Sequence, residues 1–277
     1  MKRAAGILLV ILFCAWLGFA QRVAVLEPER DGPAVPGFTD ALRSGLALKV
    51  KLIDDGLAAS AHASVTVADP FNMTADEGRR AGAVIGCDRI LILRSALQRR
   101  AASGGRSYVE AYAVTYLVDS RSGSLIRFDL TAAEAETEAK AAAGLIAKVP
   151  ALVSAIAEAR FERSEAAARF PESPPENSPD AAGLKMPVPY KRIRPEYTTL
   201  ASLYGVKATV DAEADIDSNG NIDALRIVRW AGFGLDGSVE SAIRSMNWRP
   251  AMRAGKALPM RVLLRYNFRK IEQDEEN

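Results

Sequence analysis

The sequence predicts an α/β plus α+β chain. An N-terminal α/β sandwich with a mixed sheet covers residues 21–168, and a proline-rich linker covers 169–188. A C-terminal two-layer sandwich, a three-stranded antiparallel sheet with helices, covers 189–277. Three observations predict this. Strand and helix patterns alternate through the first half, as they do when helices cover a sheet. Pro171, Pro174, Pro175, Pro179, Pro187 and Pro189 gather among Glu, Ser and Asn between the halves. Near the C-terminus, two period-two segments flank a helical stripe, the pattern of a half-buried sheet with a helix laid on it.

The elements follow in order. Arg22 to Pro28 reads as a short buried strand on Val23, Val25 and Leu26. Phe38, Ala41, Leu42, Gly45 and Leu46 fall on one helical face. Val50 to Ile53 is a second strand, stopped by Asp54–Asp55–Gly56. Thr74 and Glu77 form a capping box, each side chain satisfying an orphan backbone N–H of a helix running to Gly86. Strands follow at Arg89–Arg94, Tyr108–Val118 and Ser124–Leu130, joined by a polar loop at Ala102–Arg106 and a turn at Asp119–Gly123. The alanine-rich stretch Ala132–Ala168 reads as helix, broken or kinked at Pro150, whose ring clashes with the preceding turn.

The proline cluster cannot bury enough apolar surface to fold, and tends toward polyproline II. Fully extended it spans about 60 Å, at about 3.1 Å per residue. Beyond it, Lys207 to Ile216 and Met260 to Arg269 alternate, with Lys207, Thr209, Asp211, Glu213 and Asp215 opposite Arg261, Arg265 and Arg269. Leu235, Val239, Ala242, Ile243 and Met246 form the helix stripe. Asn219–Gly220 signals a type I′ hairpin turn, because both residues tolerate positive φ.

The first residues are not domain sequence. Lys2 and Arg3 precede an uncharged run, Ala4 to Ala20, and Gly18–Phe19–Ala20 suits signal peptidase cleavage before Gln21. The run sits at the bottom of the roughly 17–25 residues that cross a bilayer, so an uncleaved anchor over 4–20 is the alternative. Either way the remainder is exported, to the periplasm or tethered at the inner membrane. Cys14 follows Phe13, where lipoprotein processing needs a small residue. Cys87 is then alone, which excludes an internal disulfide.

A net charge of +2 gives no footprint for nucleic acid. Gly232-x-Gly234-x-x-Gly237 imitates a dinucleotide fingerprint, but Asp236 and Glu240 stand where a pyrophosphate binds. Asp215-x-Asp217-x-Asn219-Gly220 imitates a calcium loop, but Arg226 holds the position of the bidentate glutamate. His62, the one histidine, lies on a small-residue segment and reads as solvent-facing. Without a nucleophile elbow it supports no triad. No enzyme, cofactor or metal is expected.

Pro195–Glu196–Tyr197, Gly205–Val206, Asn219–Gly220, Leu235–Asp236, Trp248–Arg249–Pro250–Ala251, Gly255–Lys256 and Phe268 follow one another in an order and spacing that resembles the C-terminal domain of the TonB family. Those proteins reach across the bacterial periplasm to outer-membrane transporters. The resemblance implies a protein-binding adaptor associated with energy-dependent outer-membrane transport, whose last strand accepts an extended peptide as an added strand. Partner contacts would then fall on Arg261, Leu263, Arg265, Asn267 and Arg269. The implied partners are an outer-membrane receptor or transporter, or another envelope protein, with inner-membrane motor proteins if the anchor is retained.

Residue by residue, the bland alternative for the arginines is cross-strand pairing with Asp211, Glu213 and Asp215. The chain departs from the family in its short linker, in lacking a histidine in Met1–Ala20, in Thr198 where proline is usual, and in Ala208 where glycine is usual. A soluble periplasmic scaffold without energy transduction is therefore the alternative function. Leu52–Ile53–Asp54, Gly86 to Leu91 and Leu117–Val118–Asp119 with Gly123 are similar to the N-terminal domain of TolB and to CsgG-type envelope proteins. That similarity implies a docking role for residues 22–165.

Overall fold

The computed structural model describes residues 21–28, 33–101, 105, 107–160, 170–175 and 177–270. The leader or anchor expected over 1–20 lies outside them. The first half comprises β1 (Arg22–Leu26), α1 (Phe38–Ala47), β2 (Lys51–Leu52), α2 (Asp55–Ala63), α3 (Ala75–Ile85), β3 (Arg89–Ala101), β4 (Ser107–Asp119), β5 (Leu125–Ala135), α4 (Glu138–Ile146) and α5 (Val149–Glu158). Its sheet has the order β2-β1-β3-β4-β5, parallel across β2, β1 and β3 and antiparallel from β3 to β5. It is mixed, as expected.

Several elements differ from expectation. Asp54 does not merely stop β2. Its carboxylate accepts from Leu57 N–H at 2.9 Å and caps α2, a helix that its small residues do not announce. His62 lies on that helix and is half-buried, with a buried Nε2 that finds no hydrogen-bond partner, so it does not face solvent freely. Burial holds its pKa below the ordinary histidine value. The alanine-rich stretch begins as strand: β5 runs to Ala135 because β4 supplies a full ladder opposite it, and pairing overrides alanine's helix preference. Thr137 then caps α4, and the break falls at Ala147–Lys148 with Pro150 in the first turn of α5, where its missing N–H costs nothing. The segment Glu138–Glu158 has a mean hydropathy of 1.5, yet Leu145, Leu152, Val153 and Ile156 bury its apolar side within the protein.

The second half comprises β6 (Leu184–Lys185), β7 (Val188–Pro189), α6 (Thr199–Leu203), β8 (Ala208–Ile216), β9 (Ile222–Arg229), α7 (Leu235–Arg244), β10 (Trp248–Arg249), β11 (Ala251–Arg253), β12 (Lys256–Leu258) and β13 (Met260–Phe268). Its main sheet, β13-β8-β9, is the expected three-stranded antiparallel one, with α7 on the Val210, Ala212, Ala214 and Ile216 face. The β8–β9 connection is not type I′. Only Gly220 has positive φ, at 86°, and Gly220 N–H donates to Asp217 O while Asp217 N–H donates to Asn221 O. This is a type I turn closed by a left-handed glycine, stabilised because the Asp217 carboxylate accepts from Asn219 and Asn221 N–H, both at 2.8 Å.

The described part of the proline-rich segment is docked. β6 pairs with β11, β7 pairs with β10, and Glu172 forms a parallel bridge to Arg261. Backbone pairing holds it where apolar burial alone would not.

The N-terminal sheet buries both faces. One packs Val23, Val25, Leu91, Leu93, Ala111 and Leu117 under α1, α4 and α5. The other carries Ala24, Leu26, Ile90, Ile92, Tyr116 and Val118, and these share one apolar cluster with Val210, Trp230, Phe233, Leu235 and Ile243 of the second half. Tyr116 OH donates to Ala231 O at 3.2 Å, and Trp230 Nε1–H donates to Gly123 O at 3.3 Å. Further out, Tyr204 OH donates to the buried Glu110 carboxylate at 2.7 Å, which also takes Gln98 and Arg100. Burial and that carboxylate both push the Tyr204 phenol upward. Such buried polar groups are tolerable because they are paired.

Candidate functional site

The residues that chemistry singles out converge on β13. Its register with β8 runs from Met260↔Ile216 to Phe268↔Ala208 and has no break, and its other side faces no named strand. β13 is therefore a sheet edge. Arg261 fixes which backbone groups look outward: its N–H donates to Pro171 O at 2.9 Å, and its C=O accepts from Ser173 N–H at 3.1 Å. Peptide groups alternate sides along a strand, so Leu263, Arg265 and Asn267 also present N–H and C=O away from β8. Among the described residues, none of these three outward pairs has a backbone partner.

The side chains divide by the same parity. Met260, Val262 and Phe268 are buried against the α7 side, while Leu263 is 57% exposed and Arg265 and Asn267 are exposed. On that outer face Arg261 grips Asp215 through Nε and Nη2 at 2.6 and 2.9 Å, and Arg265 grips Asp211 at 2.7 and 2.9 Å. Arg229 adds a bond to Asp211 at 3.1 Å, and Arg226 pairs with Glu213 at 2.7 Å. Asp211 and Asp215 are only 3% and 2% exposed, so this face is not wholly wet as the alternation implied. The arginines roof the acids. Burial raises the Asp211 pKa, but hydrogen bonds from Arg265 and Arg229 outweigh it and hold the carboxyl below its ordinary value. Hydrogen bonding to Asp215 raises the Arg261 pKa, and the Arg265 guanidinium is raised by Asp211 in the same way.

The five sequence-predicted contact residues are thus brought onto one edge, but in different states. The Arg261 backbone is occupied and its guanidinium engaged. The Leu263 backbone and side chain are open. Arg265 offers backbone only. The Asn267 Oδ1 accepts from Thr209 Oγ1 at 2.8 Å. Arg269 stands just past the strand and is exposed.

A groove of about 960 Å³ runs beside the 265–270 end of this edge, and sequence reading missed it. Tyr197 and Phe268 stack at 6.3 Å and 22° along it, and Arg194, Pro195, Arg269 and Lys270 line it. Tyr197 is held by its hydroxyl, whose single proton lies between Val206 O at 2.8 Å and Ala201 O at 3.1 Å. The signal was present: Pro195–Glu196–Tyr197 and Phe268 are the two ends of the recognised motif, though nothing local says that they meet.

The glycine-rich turn before α7 has no room for a phosphate. Gly232 and Gly234 have φ of 70° and 78°, and the niche they form holds the chain's own Asp236, which accepts from Ala231 and Gly232 N–H, both at 2.8 Å. Burial raises this carboxyl to about 6 despite those two bonds.

A family model described as Gram-negative bacterial TonB protein C-terminal matches residues 193–269. The chain carries a TonB-like C-terminal domain. The match covers the β8–β9 hairpin, α7, the whole of β13 and the groove residues up to Arg269. Among solved structures, the TonB C-terminal domain of Pseudomonas aeruginosa is 24% identical, covering 33% of this chain and 90% of that one, with a TM-score of 0.27. The hypothetical protein CT253 of Chlamydia trachomatis is 14% identical over 50% of this chain and 98% of that one, with a TM-score of 0.36. Lipoprotein GNA1162 of Neisseria meningitidis is 16% identical over 50% and 97%, with a TM-score of 0.32. A comparison with curated proteins finds no match.

Proposed function

We propose that this protein is an envelope adaptor whose TonB-like domain takes an extended segment of another envelope protein onto β13 as an added strand. One observation carries the reading: among the described residues, the outward N–H and C=O groups of Leu263, Arg265 and Asn267 have no backbone partner, along an edge beside an open groove. In strand addition, main-chain bonds supply affinity and neighbouring pockets supply selectivity. The guanidiniums of Arg261 and Arg265 are committed to Asp215 and Asp211, so preference for an acidic segment rests on Arg194, Arg269 and Lys270. The partner is an outer-membrane receptor or transporter, or another exported protein, met after residues 1–20 direct the chain to the periplasm. Residues 22–165, with their likeness to TolB and CsgG-type domains, supply a second docking body.

A second reading, a periplasmic scaffold without energy transduction, is favoured by the apolar cluster shared between the halves. A domain packed in this way is not carried on a free spacer toward the outer membrane.

The test uses a photo-crosslinking residue at position 267 of the full chain in its native envelope. Leu263→Pro removes an outward N–H and should weaken the crosslink at least about fivefold while the melting transition stays, because edge positions tolerate proline. Leu264→Pro removes a bond to β8 and should unfold the domain. A crosslink undiminished by Leu263→Pro puts the contact elsewhere. Intact mass of the protein from the envelope fraction decides between cleavage before Gln21 and a retained anchor.

A further inference from the structure

The free edge does not begin where β13 begins. Pro171–Ser173 lies parallel to it with Glu172 opposite Arg261, and takes both outward groups of that residue. In a parallel ladder, each residue of one strand bonds to the residues before and after its opposite number. The next rung would therefore join Leu263 N–H to Ser173 O, and the N–H of residue 175 to Leu263 O. Residue 175 is proline and has no N–H. Pro174 meanwhile restricts Ser173 to extended backbone, which suits the single rung that does form. Past Pro175 the chain turns, with Ser178 N–H donating to Pro175 O at 2.9 Å. Among the described residues the ladder stops after Arg261.

We propose that Pro171–Ser173 is a built-in end stop: it occupies the first rung of the docking edge, Pro175 bars it from the second, and a partner strand therefore starts at Leu263. This rests on the strand-addition reading given above. The stop sets register, which a bare edge specifies weakly because slippage by two residues preserves the ladder. It confines the partner to Leu263, Arg265 and Asn267, where the Tyr197–Phe268 groove lies. It also covers the head of the edge against pairing with other chains. Glu172 adds its charge to those that raise the Arg261 pKa, so the strap matches the ion ladder that it crosses.

Residue-resolved amide exchange on the exported chain tests this, first without any partner. In the unmodified chain the Arg261 amide should exchange slowly and those of Leu263, Arg265 and Asn267 quickly. Pro175→Val restores the missing N–H, lets the strap take the second rung, and should slow the Leu263 amide. Ser173→Pro removes the donor to Arg261 O and should speed the Arg261 amide. Adding the synthetic peptide Glu-Thr-Val-Ile-Val-Thr-Glu should slow Leu263, Arg265 and Asn267 in the unmodified chain and leave Arg261 unchanged. Pro175→Val should weaken that peptide by about thirtyfold, the worth of the two net hydrogen bonds of that rung.

An Arg261 amide as fast as Leu263 in the unmodified chain, or a Leu263 amide unmoved by Pro175→Val, overturns the stop. So does a peptide that releases the Ser173 amide by displacing the strap. If the peptide leaves all three edge amides unchanged while Pro175→Val still slows Leu263, strand addition by a partner is what fails, and the strap remains only a cover for the edge.

Discussion

Asn72 and Thr209 form a closed pair across 137 positions of sequence: Asn72 Oδ1 accepts from Thr209 N–H at 2.9 Å while its Nδ2 donates to Thr209 O at 2.8 Å. The same Nδ2 donates to Trp230 O at 2.7 Å, and the Asn72 backbone carbonyl accepts from Arg229 Nη1 at 3.1 Å. One buried amide just ahead of α3 thus pairs with the first strand of the TonB-like sheet and with the end of the second. This joint adds to the shared apolar cluster in holding β8 and β9 against the N-terminal half.

Asn72→Ala leaves the Thr209 N–H and the Trp230 carbonyl without their partner in a buried setting. It should destabilise the full chain by about 2–4 kcal/mol, since orphaned buried groups cost their desolvation as well as the lost bonds. Urea unfolding followed by tryptophan fluorescence checks this. A loss under about 0.5 kcal/mol would mean that water replaces the amide freely.

The division at residues 169–188 is best tested as a covalent boundary. A protease site introduced after Arg169 should give two fragments that co-elute on size exclusion, because Tyr116, Trp230 and Phe233 sit in one apolar cluster. Fragments that separate and each keep a melting transition would establish independent domains.

Two carboxyls make opposite contributions to pH dependence. Asp211 is held below its unfolded value, so its stabilisation is present above the ordinary aspartate range and lost as pH falls through the lower folded value. Asp236 is raised to about 6, so its contribution is full below the unfolded value near 4 and disappears as pH rises through about 6. Asp236→Asn should therefore flatten the fall in stability between about pH 4 and 6. Asp211→Asn should flatten the acid limb below that window. Thermal melts of the two variants across pH 2–8 separate them, and identical pH profiles would contradict both assignments.

Gly220 tests the hairpin. With φ at 86° and the Trp248 carbonyl oxygen where a Cβ would sit, Gly220→Ala meets both backbone strain and a clash with main chain. It should cost more than about 2 kcal/mol, against about 1 kcal/mol for Gly205→Ala, which has positive φ but open space. Equal effects in denaturant melts would show that φ alone matters.

The sequence by itself determined whatever depends on neighbours in the chain. The Thr74–Glu77 box, the α7 stripe and the alternation of β8 and β13 are set by side chains a few residues apart, and each appears where the residues placed it. The facing charges of β8 and β13 were legible too, because register follows once both apolar sets must face one helix. The tertiary structure decided what depends on distant partners. The full length of β5 escaped notice because the β4 ladder outweighed local composition there, whereas the Asp54 cap of α2 is local and only the lack of an apolar stripe on that helix hid it. Pro171 and Arg261 meet through backbone atoms, which carry no side-chain signature, so no pattern of residue types foretold the strap. The shared core was hidden for a related reason: Tyr116, Trp230 and Phe233 read as ordinary apolar positions in two separate patterns, and only chain closure reveals that they bury one another.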